Sequence, residues 1–214
     1  MPTIVVPFRG PGGKQRLAPL PAEVRAAVAT AMLADVLAAG AEVGETLVVA
    51  PEEARPDATR AAAGLPVRFV PDPGRGQGAA VRAALAAVVD GPVLVVNADL
   101  PCVTARDLYA LLGALPDGGV APAEAHDGTT NALALASPAL FEPLYGPGSA
   151  ARFRALGAGG ERGAETPTAS GAVRIPNLAD DVDTLDDLRR LGPRLGPRTR
   201  RALAVLRLQA GAAA

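Results

Sequence analysis

The chain has 214 residues and a formal net charge of −1, with 20% charged and 49% hydrophobic residues. That length suits one α/β domain, residues 1–214, with a sizeable core, and the charge balance excludes the basic excess of an electrostatic nucleic-acid binder. Cys102 and His126 are the only cysteine and histidine, which excludes an internal disulfide, a Cys/His zinc cluster and any Ser-His-Asp triad not built on His126. One free cysteine, an N-terminus that enters directly as a strand, and no apolar run near ~18 residues predict a cytoplasmic chain without a membrane span.

Strand and helix patterns alternate along the chain. Residues 3–8 read as a first strand. Arg9-Gly10-Pro11-Gly12-Gly13-Lys14-Gln15-Arg16-Leu17 follows, a glycine-rich loop ending in cations. Glycines let backbone amides approach phosphate oxygens, and Lys14 and Arg16 balance their charge. Lys14 is the single lysine among 21 basic residues, either by chance or because a compact ammonium fits there and a guanidinium fork does not. It is not a Walker loop, because Gln15 stands where Ser or Thr belongs. A helix is predicted over 21–40, with Gly40 as its stop, then a strand over 46–50, a helix over 52–63 and a strand over 66–70. This alternation predicts a doubly wound, mostly parallel sheet.

Gly76-Gln77-Gly78 leads into a helix predicted over 79–89. Its free amides suit a phosphate or a base edge. The run 93–101, Val-Leu-Val-Val-Asn-Ala-Asp-Leu-Pro, reads as a strand buried on both faces. It ends with Asn97 and Asp99 where ligands bind in open parallel sheets. Asp99 either holds a metal ion on a nucleoside triphosphate or caps the next helix, which Thr104 can equally do. A helix over 104–112 and a strand over 119–123 come next. Gly128-Thr129-Thr130-Asn131 then enters an apolar strand, with uncharged donors at its start, and His126 beside it reads as exposed and incidental.

Gly146-Pro147-Gly148-Ser149 opens a helix over 150–156. Ser149 serves as a cap and, with the free amides, as a phosphate seat to which Arg152 and Arg154 add charge. Residues 157–171 read as a mobile loop, and 175–179 as a short edge strand. In the following Asp180-Asp181-Val182-Asp183-Thr184, extended geometry puts Asp181 and Asp183 on one face. Two like charges so held favour a cation between them, here Mg²⁺. Thr184 caps a helix whose first turn holds Asp186 and Asp187. A final helix over 199–208 reads as a peripheral packing element or an oligomer contact.

The order of these motifs, from the Lys14/Arg16 loop through Asn97-Ala-Asp99-Leu-Pro, Gly128-Thr-Thr-Asn-Ala-Leu and Gly146-Pro-Gly-Ser149 to Asp181-Val-Asp-Thr184, resembles the phosphoenolpyruvate / 2-phospho-L-lactate guanylyltransferases of coenzyme F-420 biosynthesis. The resemblance implies a single Rossmann-like nucleotidyltransferase domain of the GT-A type, with a mixed, mostly parallel sheet flanked by helices. By position it makes Asp99, Asp181 and Asp183 the ligands of Mg²⁺. Thr130, Gly146 and Ser149 become the seat of a phosphorylated three-carbon acid. Lys14 and Arg16 stand beside the triphosphate of GTP, with Gly12, Gly13, Gly76, Gln77 and Gly78 as nucleotide-binding positions. Relatives often read Gly-Leu-Asn at 76–78 and Phe at Ala150. The resemblance also implies a homodimer, while the charge balance and the lack of a long apolar run predict neither nucleic acid nor membrane as partner. The alternatives are a molybdopterin guanylyltransferase-like enzyme, whose Gly-x-Ser-x-Arg-Met-Gly loop is missing, a glycosyltransferase, and a non-catalytic nucleotide-binding regulator.

Overall fold

The computed structural model describes residues 1–13, 17, 20–158 and 174–212. Six strands form its centre: β1 Thr3–Pro7, β2 Glu45–Ala50, β3 Val67–Pro71, β4 Val93–Val96, β5 Val120–Glu124 and β6 Thr130–Leu135. They lie in the order β3-β2-β1-β4-β6-β5. β1 pairs in parallel with β2 and β4, and β2 with β3, whereas β6 runs antiparallel to both β4 and β5. The expected mixed, mostly parallel sheet is what forms, with β6 as the reversed strand.

Alternation along the strands builds two cores. Ile4, Val6, Leu94 and Val96 face α1 (Ala22–Val43), α2 (Arg55–Ala61) and α4 (Ala105–Gly113). Val5, Val93 and Val95 face the opposite layer of α3 (Gln77–Leu85) and α5 (Ser149–Ala158). A third cluster joins Val28, Ala29 and Met32 of α1 to Leu188 and Leu191 of α7 (Leu185–Leu191), with Cys102 and Val182 between them. A short helix α6 (Pro176–Ala179) precedes α7, and α8 (Pro197–Ala212) closes the described chain against α1.

Three expectations need correcting. α1 does not stop at Gly40 but passes through it to Val43. A Cβ on Gly40 would lie 3.2 Å from both Ile4 Cγ2 and Thr46 Oγ1, so that glycine serves close helix–sheet packing, and Gly44 is the stop. Residues 175–179 form a helical turn rather than an edge strand, with Pro176 at the first helical position, where its missing N–H costs nothing. α1 is also long and apolar enough to span a membrane, with a mean hydropathy of 1.6, yet 67% of that window is buried within the protein. Its apolar character is that of a central core helix.

α8 is anchored more firmly than a peripheral helix would be. The buried Asp35 carboxylate of α1 accepts the Arg198 and Thr199 N–H groups at 3.0 and 2.9 Å, capping α8 from another helix. Gly196 makes room for it, since a Cβ there would stand 2.3 Å from the carboxyl carbon of Asp35. Replacing Asp35 with Ala is therefore expected to lower unfolding free energy by about 1–2 kcal/mol, read as a shifted urea midpoint with an unchanged slope.

Candidate active site

The carboxyl ends of β1 and β4 are adjacent, and the chain leaves them in opposite directions across the sheet. A crevice opens at such a switch point. Here it is a cleft of about 270 Å³ whose walls include Phe8, Arg9 and Gly10 after β1, Asn97 and Asp99 after β4, and Asp183. Asp99 does not cap the next helix. That role belongs to Thr104, whose hydroxyl accepts the Asp107 N–H while the Asp107 carboxylate accepts the Thr104 N–H, a reciprocal capping box.

Residues more than 80 positions apart meet here because the backbone of the 181–183 segment docks on the end of β4. The Val182 N–H donates to Asp99 O at 3.0 Å. The Val182 side chain is fully buried, so its two neighbours turn outward together. One carboxylate oxygen each from Asp99, Asp181 and Asp183 lies within 4.8 Å of the other two. Burial, followed by the charge of Asp99, pushes the Asp181 carboxyl above its usual range, while a hydrogen bond from Asn131 acts the other way. Crowded carboxylates of this kind are relieved by a cation. An all-oxygen set of three suits a hard divalent ion, and this group could hold one.

Both ends of the segment are fastened. On one side the buried Asp180 receives Arg190 at 2.6 Å and Arg194 at 2.7 Å, with His126 at 3.0 Å. Burial alone would raise its pKa, but these hydrogen bonds outweigh it and hold the group at about 2. His126 is exposed, as expected, but not incidental, since it ties the 124–129 turn to Asp180. On the other side Asp187 accepts the N–H groups of Asp183 and Thr184, and Thr184 caps α7.

Of the remaining expected positions, Gln77 lines the cleft, whereas Thr130 and Ser149 lie buried behind it. Thr130 and Ser149 are both buried, with hydroxyls 2.9 Å apart, and Gly146 at φ +114° starts the turn that delivers Ser149. Arg152 props that turn by donating to the carbonyls of Leu144 and Pro147, and Arg154 pairs with Glu124 at 2.7 Å. Gly76, at φ +89°, precedes α3. A Cβ on Gly78 would stand 2.6 Å from Pro143 Cβ. With Gln77 and Gly146 these glycines line a wider, shallower cleft of about 710 Å³. Gly12 and Gly13 lie in a short 3-10 turn, Pro11–Gly13. Lys14, Gln15 and Arg16, and most of the loop expected over 157–171, lie outside the described residues. Sequence reasoning gave no role to Asn97 beyond its place at the strand end, nor to Arg9. Their signal was position alone, at the carboxyl ends of two central strands.

Removing Asp180 leaves Arg190 and Arg194 without their shared acceptor. Asp180→Ala is expected to cost about 1–3 kcal/mol, measured by chemical denaturation.

Comparison with known proteins bears on the family and the fold. Residues 22–163 match the family described as the MobA-like NTP transferase domain. The phosphoenolpyruvate guanylyltransferase of Streptomyces scabiei is 37% identical over 95% of this chain and 96% of its own length. That of Sphaerobacter thermophilus is 43% identical over a shorter stretch, 46% of this chain and 45% of that protein. Among solved structures, a Desulfovibrio desulfuricans G20 protein described as a nucleotide-diphospho-sugar transferase superposes with a TM-score of 0.64 at 18% identity, covering 95% of this chain and 94% of that one, and so shares the fold. The chain belongs to the MobA-like NTP transferase domain family and, within it, to the phosphoenolpyruvate guanylyltransferases.

Proposed function

We propose that this chain joins GMP from GTP to phosphoenolpyruvate, releasing pyrophosphate, as a cytoplasmic step toward the deazaflavin coenzyme F-420. The observation that carries the reading is the convergence of Asp99, Asp181 and Asp183, two of which, Asp99 and Asp183, line the cleft beside β1 and β4. Their family relationship supplies the substrates: the relatives bear the name phosphoenolpyruvate guanylyltransferase. 2-Phospho-L-lactate and 3-phosphoglycerate are the competing acceptors.

The attacking group is the acceptor's phosphate, which is already largely ionised near neutral pH because its second pKa is about 6. No general base is required, and among the described residues neither the histidine nor the cysteine lines the cleft: His126 is held by Asp180 and Cys102 is buried. What the chain contributes is positioning and charge. Asp99, Asp181 and Asp183 hold Mg²⁺, which suits their oxygen donors. When bound, that ion neutralises phosphate charge and stabilises the leaving oxygen. Thr130, Ser149 and the backbone at Gly146 seat the acceptor. The Gly76–Gly78 turn and the amides of α3 face the nucleotide, with Gly12 and Gly13 beyond β1, and Lys14 and Arg16 offset the charge of the departing pyrophosphate.

Two measurements test this. A pyrophosphate-release assay crossing ATP, GTP, CTP and UTP with the three acids is expected to respond to GTP with phosphoenolpyruvate and to remain silent without an acceptor. Equal release with no acid would point instead to a hydrolase. Asp99→Asn is expected to melt like the parent and lose ~10²-fold or more in turnover. A near-normal rate at saturating Mg²⁺ would refute the assignment.

A further inference from the structure

β4 ends beside the start of β6, at two asparagines. The Val96↔Ala132 pair is the last of their ladder, and the next bond outward runs from the Asn97 N–H to Asn131 O at 2.9 Å. On its other edge β6 carries a bulge: Ala123 faces Ala132 and Glu124 faces Thr130, so Asn131 has no partner in β5. A bulge re-aims a side chain. Here consecutive residues serve different neighbours, Thr130 bonding Ser149 and Asn131 bonding Asp181.

From these two asparagines a chain of amide groups runs across the cleft. Gln77 Nε2 donates to Asn97 Oδ1 at 2.8 Å. Asn97 Nδ2 donates to Asn131 Oδ1 at 3.4 Å and to Thr130 O at 3.3 Å. Asn131 Nδ2 donates to Asp181 Oδ1 at 3.3 Å. Each asparagine presents its oxygen toward Gln77 and an N–H toward Asp181, so the bonds run in one direction and the last N–H reaches the carboxylate. Asn131 is 3% exposed, and a buried amide committed at both ends has one orientation available to it. Gln77, at the far end, borders both the narrow cleft and the wider one.

We infer that Asn131 is a positioning residue for Asp181, held in register by Asn97 and Gln77, and that the strength of divalent-ion binding depends on this amide chain. The inference rests on the reading of Asp99, Asp181 and Asp183 as an ion site and goes beyond it by naming what aims one of the ligands. Asn131 occupies one lone-pair direction of Asp181 Oδ1, which fixes the plane of the carboxylate and turns the rest of it to the ion. Outer partners of metal ligands commonly change affinity by 10–100-fold when removed. The chain also joins the glycine turn before α3 to the ion site, so any effect of a group bound against Gln77 on the ion is returned by the ion in equal measure.

The test is Mn²⁺ binding to the full chain by electron paramagnetic resonance, alone and with GTP, for the wild type, Asp181→Asn, Asn131→Ala and Asn97→Ala. Thermal melting is followed in parallel. Asn131→Ala is expected to weaken Mn²⁺ binding ~10-fold or more, and Asn97→Ala to weaken it less but in the same direction. In pyrophosphate release the Mg²⁺ concentration for half-maximal rate rises with it, while kcat at saturating Mg²⁺ changes less than threefold. A purely structural role would lower the melting temperature and kcat and leave ion affinity alone. Should Asn131→Ala fail to fold, Asn97→Ala, which leaves Asn131 in place, decides the matter. Mn²⁺ affinities within twofold of wild type in the folded variants, with binding lost in Asp181→Asn, would overturn the amide chain but not the ion site. Absence of Mn²⁺ binding in the wild type would overturn both.

Discussion

A single backbone hydrogen bond, from the Val182 N–H to Asp99 O, is the constraint on which the candidate site depends. It brings a segment near the end of the chain against the end of a central strand. The buried Val182 side chain is its second half: with the apolar residue turned into the cluster of Met32, Leu188 and Leu191, the flanking carboxylates of Asp181 and Asp183 share the opposite face with Asp99. Three negative charges are thereby gathered within 4.8 Å, an arrangement that mutual repulsion alone would disperse. Much of the C-terminal architecture opposes that dispersal. Arg190 and Arg194 bind Asp180 beside the segment, and the α7 capping box holds its other end.

The same economy of means appears in the chemistry. Among the described residues the cleft offers carboxylates, amides, backbone groups and the guanidinium of Arg9, with no imidazole or thiol. Such a site suits a reaction between phosphates, where the attacking oxygen is ionised beforehand and the work is to hold two anions together. The sheet supports this by concentrating the ends of β1, β3, β4 and β6 on one rim: Arg9 follows β1, Gln77 follows β3, Asn97 and Asp99 follow β4, and Thr130 and Asn131 begin the reversed β6. Because β6 is antiparallel, its start rather than its end lies at that rim.

The layout of strands and helices was legible in the residues because period-two runs and helix caps are local signals. Thr184, Thr104 and the apolar run at 93–96 all formed the elements their patterns imply. Legibility failed where a residue's role is set by a distant neighbour. Gly40 looks like a helix stop until Ile4 and Thr46 press against it. Residues 175–179 read as a strand because their apolar content is ambiguous over so short a span, yet Pro176 starts a helical turn. His126 looked incidental because its partner Asp180 is 54 positions away.

By itself the sequence determined the α/β class, the mostly parallel sheet and the kinds of side chain available, since composition and periodicity are properties of neighbouring residues. It also marked Asp99, Asp181 and Asp183 as unusual, each by its immediate surroundings. Only the tertiary structure decided that their carboxylates share one rim, that β6 reverses, and that Asn131 reaches Asp181 while Thr130 turns to Ser149. Those outcomes follow from strand order, a bulge and a backbone hydrogen bond between segments 83 residues apart, and no local pattern encodes a separation of that kind.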